Sequence, residues 1–223
     1  MESILISRSD MTSKNLMKKH FILLLALLSA GATYQARTVH QNWKFSTPEI
    51  LEQLDPLSGK WEVVTPSNLN QPLLSQAVKY ADFPKVLLRD RDYYDFEVAA
   101  KIYISSENEE TQAGGLILRY RNLYSFYMLF LNAKDKRLTL TRASLGGLKP
   151  IKRVNQNFAP DRWYELKARC YLNKIQAFVD GEPILQAEDE TTTGGKIGLV
   201  TAGTSRVYFD SLSIQSETVE VTP

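Results

Sequence analysis

The sequence predicts an all-β fold, an antiparallel β-sandwich, on three observations. Between Tyr93 and Ile214 strand-like segments follow one another with no helical stretch. Within them apolar and polar residues alternate at period two, and Gly, Asn and Asp interrupt the runs at short intervals. Strands patterned in this way show one face to a core and the other to water. Sheets of this kind often bind a ligand on an open face, so the pattern suggests a class of function without naming the ligand.

The chain begins with a different pattern. Residues 18–32 read KKHFILLLALLSAGA, a lysine pair, an apolar run from Phe21 to Leu28 and small residues after it. This predicts a signal-peptide helix, with Ala30-Gly31-Ala32 in the A-x-A form of a cleavage site and Ala36 as a second position. The run is too short to cross a bilayer as a helix, so no stable membrane insertion is expected after the leader is removed. No Cys follows the apolar run, which argues against a lipoprotein leader. Met17 directly precedes Lys18, so residues 1–16 read as an upstream extension of the true start. Residues 1–32 are therefore read as an export leader, and the protein as secreted or periplasmic.

Composition bounds the rest. The leader holds four basic and two acidic residues, and the remainder holds 23 of each. A chain without net charge has no overall field to attract nucleic acid, and none is expected as a partner. The single cysteine, Cys170, cannot form an intramolecular disulfide. It shares strand parity with Tyr164, Leu166 and Ala168 and reads as a small buried residue.

Residues 37–59 form a mixed entry segment, in which Pro48–Leu54 reads as a short helix with Thr47 as its N-cap and Pro48 at the first helical position. Lys60–Val64 reads as a strand and Pro66-Ser67-Asn68 as a turn. Two weaker strands lie near Gln76–Tyr80 and Lys85–Leu88. Parity then assigns faces. Phe96, Val98, Ala100, Ile102 and Ile104 point inward. Leu116 and Leu118 do likewise, with Gly115, Ile117 and Arg119 opposite, and a turn near Arg121-Asn122. On the return strand Tyr124, Phe126, Met128 and Phe130 are assigned inward and Ser125, Tyr127 and Leu129 outward. Tyr164, Leu166, Ala168 and Cys170 face in, with Trp163, Glu165, Lys167 and Arg169 out. Asn173 marks a tight turn, Ile175, Ala177 and Val179 face in, and Asp180-Gly181 is a hairpin signal. The sandwich is bounded at 60–215, and residues 216–223 read as a polar, frayed tail.

One His and one Cys beyond the leader, without clustered spacing, argue against zinc. GxGxxG, Walker-type, GxSxG and HExxH patterns are all missing from the sequence. No cofactor is expected. Calcium is possible through Asp210, but one carboxylate falls short of the six to eight oxygens that ion takes. Glycoside hydrolysis needs two carboxylates across the scissile bond. Glu107, Glu109, Glu110, Glu188, Asp189 and Glu190 fall in loops and read as solvated surface. Glu97 and Glu165 stand on strands, as outward polar positions or as alternative catalytic carboxylates. Arg119 and Tyr127 read either as sugar contacts over a depression left by Gly115 and Ser125, or as cross-strand packing. Trp163 is a sugar platform or a rim packing residue.

The ordered set GGLILRYRNLYSFYMLFL, RLTLTR, RWYELKARCYLNKIQAFVDGEPIL, GGKIGLVTAG and VYFDSLSI resembles the concanavalin A-like lectin/glucanase superfamily. The likeness is to laminin-G-like and bacterial carbohydrate-binding domains and, in layout, to 3-keto-disaccharide hydrolase domains. It implies a jelly roll of two curved antiparallel sheets. Hydrolase relatives show N-S-G before the strand arginine, where this chain reads Ala113-Gly114-Gly115. The glucanase E-x-D-x-x-E strand does not occur. The resulting expectation is a non-catalytic, lectin-like domain whose partner is a carbohydrate or glycoconjugate. Arg119 and Tyr127 would contact the sugar, with Glu97, Glu165 and Arg169 beside them if they share a sheet. The alternatives are a glycoside or 3-keto-disaccharide hydrolase using Glu165 or Glu97, and a laminin-G-like protein-adhesion module.

Overall fold

Period-two alternation becomes strands that pair into two antiparallel sheets. The computed structural model describes residues 33–77, 82–107 and 110–222. The expected leader helix, and residues 78–80 of an expected strand, lie outside these. The described strands are β1 (Thr33–Lys44), β2 (Leu54–Pro56), β3 (Trp61–Val64), β4 (Leu73–Gln76), β5 (Lys85–Leu88), β6 (Phe96–Ile104), β7 (Ala113–Asn122), β8 (Ser125–Asn132), β9 (Arg137–Ser144), β10 (Gly147–Asn155), β11 (Arg162–Tyr171), β12 (Lys174–Val179), β13 (Glu182–Glu188), β14 (Lys196–Thr201) and β15 (Val207–Thr222). One 3-10 helix, Pro48–Gln53, stands where a short helix was expected. Pro opens it, but Thr47 makes no side-chain cap bond.

The eight-stranded sheet runs β13-β12-β11-β6-β15-β4-β3, with β1 also paired to β15. The seven-stranded sheet runs β10-β9-β8-β7-β14-β5-β2. Together they make an all-β jelly-roll sandwich. Its core lies between the sheets: Val98, Ala100, Ile102 and Ile104 of β6 and Leu166, Ala168 and Cys170 of β11 face Leu116, Leu118, Leu129, Leu131, Leu138 and Leu140 of the other sheet. Each fully buried Leu, Ile or Val contributes about 1.5–3 kcal/mol, and this layer is what holds the two sheets together.

Parity read correctly on β6, β11 and β12 and wrongly on β8. The register sets Leu116 opposite Leu129 and Leu118 opposite Tyr127. Directly opposed residues of antiparallel strands share a face. Tyr127, Leu129 and Leu131 therefore enter the core, and Phe126, Met128 and Phe130 turn to the far side of the sheet. There they join Ile117, Ala143 and Val200 in a second buried cluster, with Phe83 edge-on to Phe130 at 5.5 Å. Both faces of β8 are apolar, so alternation carried no sign of which was inner. The turn is Leu123-Tyr124, later than expected, because a bulge between Leu118 and Asn122 takes up residues, with Arg119 at φ 53°. No depression exists over Gly115. A Cβ there would sit 1.9 Å from the Leu129 carbonyl oxygen, so the glycine serves the close approach of β8.

The chain divides into two compact units, His40–Gln215 and a smaller one of Met1–Val39 with Ser216–Pro223. The described part of the smaller unit is the outer portions of β1 and β15. The segment expected as a frayed tail is strand to Thr222. Val219 and Val221 alternate with polar residues there, the period of a strand.

Candidate functional site

The outward positions of β6 and β11 stand side by side on the eight-stranded sheet: Glu97 opposite Arg169, Ala99 opposite Lys167, Lys101 opposite Glu165, and Tyr103 opposite Trp163. Ser211 and Ser213 of β15 and His40, Gln41 and Asn42 of β1 continue this face. Two depressions of about 360 and 340 Å³ open on it, and both are lined by Ala99, Glu165 and Ser213, so they form one groove. Its floor is formed by the small side chains of Ala99, Ser211 and Ser213.

The two ends of the groove differ chemically. At one end Trp163 lies edge-on to Tyr103 at 5.5 Å, and Tyr103 lies 6.3 Å from Tyr208. The Lys101 ammonium sits 4.9 Å from the Trp163 ring centre. Beneath them Asp210 is buried, with Lys44 at 2.5 Å and Lys101 at 3.9 Å. The cations satisfy a carboxylate that burial alone would disfavour. At the other end Arg169 donates from Nε (2.9 Å) and Nη2 (2.7 Å) to Oε2 of Glu97, and Lys167 lies 3.2 Å from Oε1. Burial opposes the Glu97 charge, but the bonds from Arg169 and Lys167 and their charges outweigh it and hold the carboxyl below its usual range. Glu97 is therefore a fixed anion, unsuited to donate a proton at neutral pH. Between the ends stands Glu165. Its backbone N–H donates to Asp180 Oδ1 at 2.9 Å. Its exposed carboxylate has no hydrogen-bond or ion-pair partner among the described residues.

Glu97, Glu165, Arg169 and Trp163 thus share one outer face. Arg119 and Tyr127 do not. They belong to the seven-stranded sheet, and both are fully buried, which corrects the expectation that they face solvent. Arg119 donates to the carbonyls of Thr192 (3.1 Å) and Tyr94 (3.2 Å). Tyr127 donates to Asp189 Oδ1 at 2.7 Å. The physical reason is the register and bulge already described, which bring both residues inside. Lys101, Lys167, Ser211 and Ser213 were not singled out from sequence. The small Ala99 between Glu97 and Lys101, at an outward strand position, was the one available signal of a groove. Among the described residues no group of His, Cys, Asp or Glu is arranged to hold a metal ion.

Residues 77–215 match the family described as the 3-keto-alpha-glucoside-1,2-lyase-like domain. The chain belongs to this family. It is thereby a member of the concanavalin A-like jelly-roll superfamily, and its solved structural neighbours agree. The carbohydrate-binding module CBM66 from Bacillus subtilis is 17% identical at a TM-score of 0.61, covering 75% of this chain and 95% of the module. A Bacillus subtilis protein of unknown function with a galectin-like fold is 13% identical at 0.60, covering 83% and 99%. The exoplasmic/lumenal domain of VIP36, solved with calcium and Man3GlcNAc, is 12% identical at 0.54, covering 78% and 87%. At these identities the likeness is one of fold. No curated protein sequence matches the chain.

Proposed function

We propose that the chain is a non-catalytic carbohydrate-binding domain of the cell envelope or exterior, and that it holds a sugar in the groove of the eight-stranded sheet. The observation that carries this is the groove itself: an aromatic wall at Trp163, a small-residue floor and the partnerless carboxylate of Glu165 on one open face. An indole ring face offers apolar cover to sugar C–H groups. Glu165, Arg169 and the serine hydroxyls supply acceptors and donors for sugar hydroxyls. Location outside the cytoplasm rests on the leader pattern of residues 18–32.

Two features favour binding over catalysis. Glu97 is paired with Arg169 and Lys167 and Asp210 with Lys44 and Lys101, which leaves Glu165 as the groove's one unengaged carboxylate among the described residues where hydrolysis requires two. Ala113-Gly114-Gly115, in the place where hydrolase relatives show N-S-G, offers no functional side chain. Ala113 is buried and Gly115 has no room for a Cβ.

Family membership favours a second reading, elimination on a 3-keto-glucoside. Glu165 would remove the proton at C2, which the neighbouring ketone acidifies. The C–H electrons would form the C1–C2 double bond as the C1–O bond breaks, and the departing oxygen would take a proton. The Lys101 ammonium would face the charge developing on the ketone oxygen. This needs one base rather than two carboxylates.

A glycan array followed by calorimetry on hits tests the binding reading. Trp163→Ala and Glu165→Gln should each weaken binding about tenfold, the scale of one lost stacking or charged hydrogen-bond contact. Unchanged affinity in both variants would remove the groove as the site. Incubation with 3-keto-glucosides separates the two readings: an unsaturated keto sugar released by the wild type but not by Glu165→Gln establishes the lyase.

A further inference from the structure

Six large apolar side chains stand exposed among the described residues: Leu145 (87%), Leu123 (60%), Tyr171 (58%), Tyr124 (55%), Leu172 (50%) and Leu148 (40%). They fall in or beside three hairpin turns, β7–β8, β9–β10 and β11–β12. Register puts all three turns at one end of the sandwich. Asn122 pairs with Ser125 and Phe126 with Ala143, so the first two turns lie side by side in the seven-stranded sheet. In the eight-stranded sheet Cys170 pairs with Phe96. Tyr93, just before β6, bridges to Gly195, and Lys196 pairs with Tyr120. The third turn therefore lies across the sandwich from the first two. Neighbouring strands are about 4.8 Å apart and packed sheets about 10 Å, so the tips stand as separate points over a small area rather than as walls of a cleft.

Basic residues accompany them. Arg121 beside the first turn, whose Nε donates to the Gly194 carbonyl at 2.9 Å, and Lys149 beside the second have no carboxylate partner among the described residues, whereas Lys152 and Arg153 lie further along β10, opposite Leu140 and Thr139 and away from this end. The carboxylates of this end are mostly engaged. Glu188 lies 3.8 Å from Lys174, Asp189 2.6 Å from Arg142 and Asp92 3.9 Å from Lys196, and Asp95 accepts from the Leu172 N–H at 2.8 Å. Glu190 lacks an ion-pair partner among the described residues. The cations, Pro150 and the bulge between Pro150 and Lys152 on β10 would keep an open sheet edge from pairing with another chain. That purpose does not account for leucines and tyrosines at the turn tips.

We propose that this end of the sandwich docks on an anionic lipid bilayer. The leucines enter the acyl boundary, the tyrosines sit at headgroup depth with ring inward and hydroxyl outward, and the unpaired cations meet lipid phosphates. The contact is peripheral. No helix among the described residues is long and apolar enough to span a membrane. Because the chain beyond residue 32 carries equal numbers of basic and acidic residues, the attraction is local to this end. The sugar groove occupies a different surface, the outer face of the eight-stranded sheet, and would remain open.

The test places an environment-sensitive fluorophore on Leu145→Cys or Leu172→Cys, with Lys136→Cys in the β8–β9 turn at the opposite end as control. The native Cys170 is 1% exposed and stays unlabelled. Vesicles of phosphatidylcholine with phosphatidylglycerol should raise emission at positions 145 and 172 and leave 136 unchanged. Neutralising Lys149 and Arg121 to Gln should weaken partitioning about fivefold per charge. Absence of a rise at 145 and 172 overturns the proposal even if the chain pellets with vesicles, because contact would then lie elsewhere. An equal rise on phosphatidylcholine alone removes the role of the cations. A rise without vesicles that grows with protein concentration assigns the tips to a second copy of the chain instead. Glycan binding is read separately, so failure here leaves the groove untouched.

Discussion

The Arg119 guanidinium sits at 0% exposure with two carbonyl acceptors, and its Nε is buried without a partner. A charge in that position is retained by structure rather than by a ligand. It ties β7 to the residues before β6 and to the loop before β14, through Tyr94 and Thr192. Deletion of its side chain leaves two buried carbonyls unsatisfied and a void, a combination that costs about 3 kcal/mol. Arg119→Ala is therefore expected to lower the unfolding free energy measured by urea titration by that amount, while the folded fraction binds glycan as before. Loss of binding at unchanged stability would return Arg119 to the list of ligand contacts. Cys170 shows the same logic for a thiol: burial pushes its pKa up to about 12, so it packs as a small apolar group and does not act as a nucleophile.

At the scale of an element, the loop between β13 and β14 is held down by one carboxylate. Asp189 accepts from Tyr127 Oη (2.7 Å), Arg142 Nη1 (2.6 Å) and the Thr191 N–H (2.9 Å), and the Thr192 N–H donates to Tyr127 Oη at 3.1 Å. Burial opposes the Asp189 charge, but the bonds from Thr191 and Tyr127 and the charge of Arg142 outweigh it and hold the carboxyl below its usual range. The pKa is depressed on folding, so the stabilisation is fully present above the unfolded value of about 3.9 and is lost as pH falls through the folded one. Asp189→Asn should cost about 2 kcal/mol at pH 7, the scale of a charged hydrogen-bond network, and the difference from wild type should shrink below about pH 4. Urea titrations at the two pH values check it. A constant difference across that range would assign the cost to geometry instead. The tyrosine in this network, Tyr127, has its own pKa raised by burial and by Asp189, so it remains a neutral donor throughout.

Over the whole molecule, strands far apart in the chain lie together. β15 pairs with β4 and with β1, β14 pairs with β5 and β7, and β11 pairs with β6. Such pairings require long loops to close before they stabilise anything, which slows folding. Refolding from urea, followed by tryptophan fluorescence in stopped flow, should take milliseconds to seconds. Microsecond refolding would mean that local contacts dominate. The alternation in β6, β11 and β12, the Asp180-Gly181 hairpin and the inward Cys170 were all legible in the sequence, because each strand there has one apolar and one polar side. The outward placement of Glu97, Glu165 and Arg169 was legible for the same reason. The inner face of β8 was not, because Phe126, Met128 and Phe130 are as apolar as Tyr127, Leu129 and Leu131. By itself the sequence determined the all-β class and most strand faces, since these follow from periodicity and short-range turn chemistry, and its ordered motifs carried the resemblance to the superfamily. Only the tertiary structure decided that Arg119 and Tyr127 are interior, that Ala99 and two serines open a groove, and that three distant turns meet at one end. Those depend on register and bulges, which are settled by which strands pair across the chain.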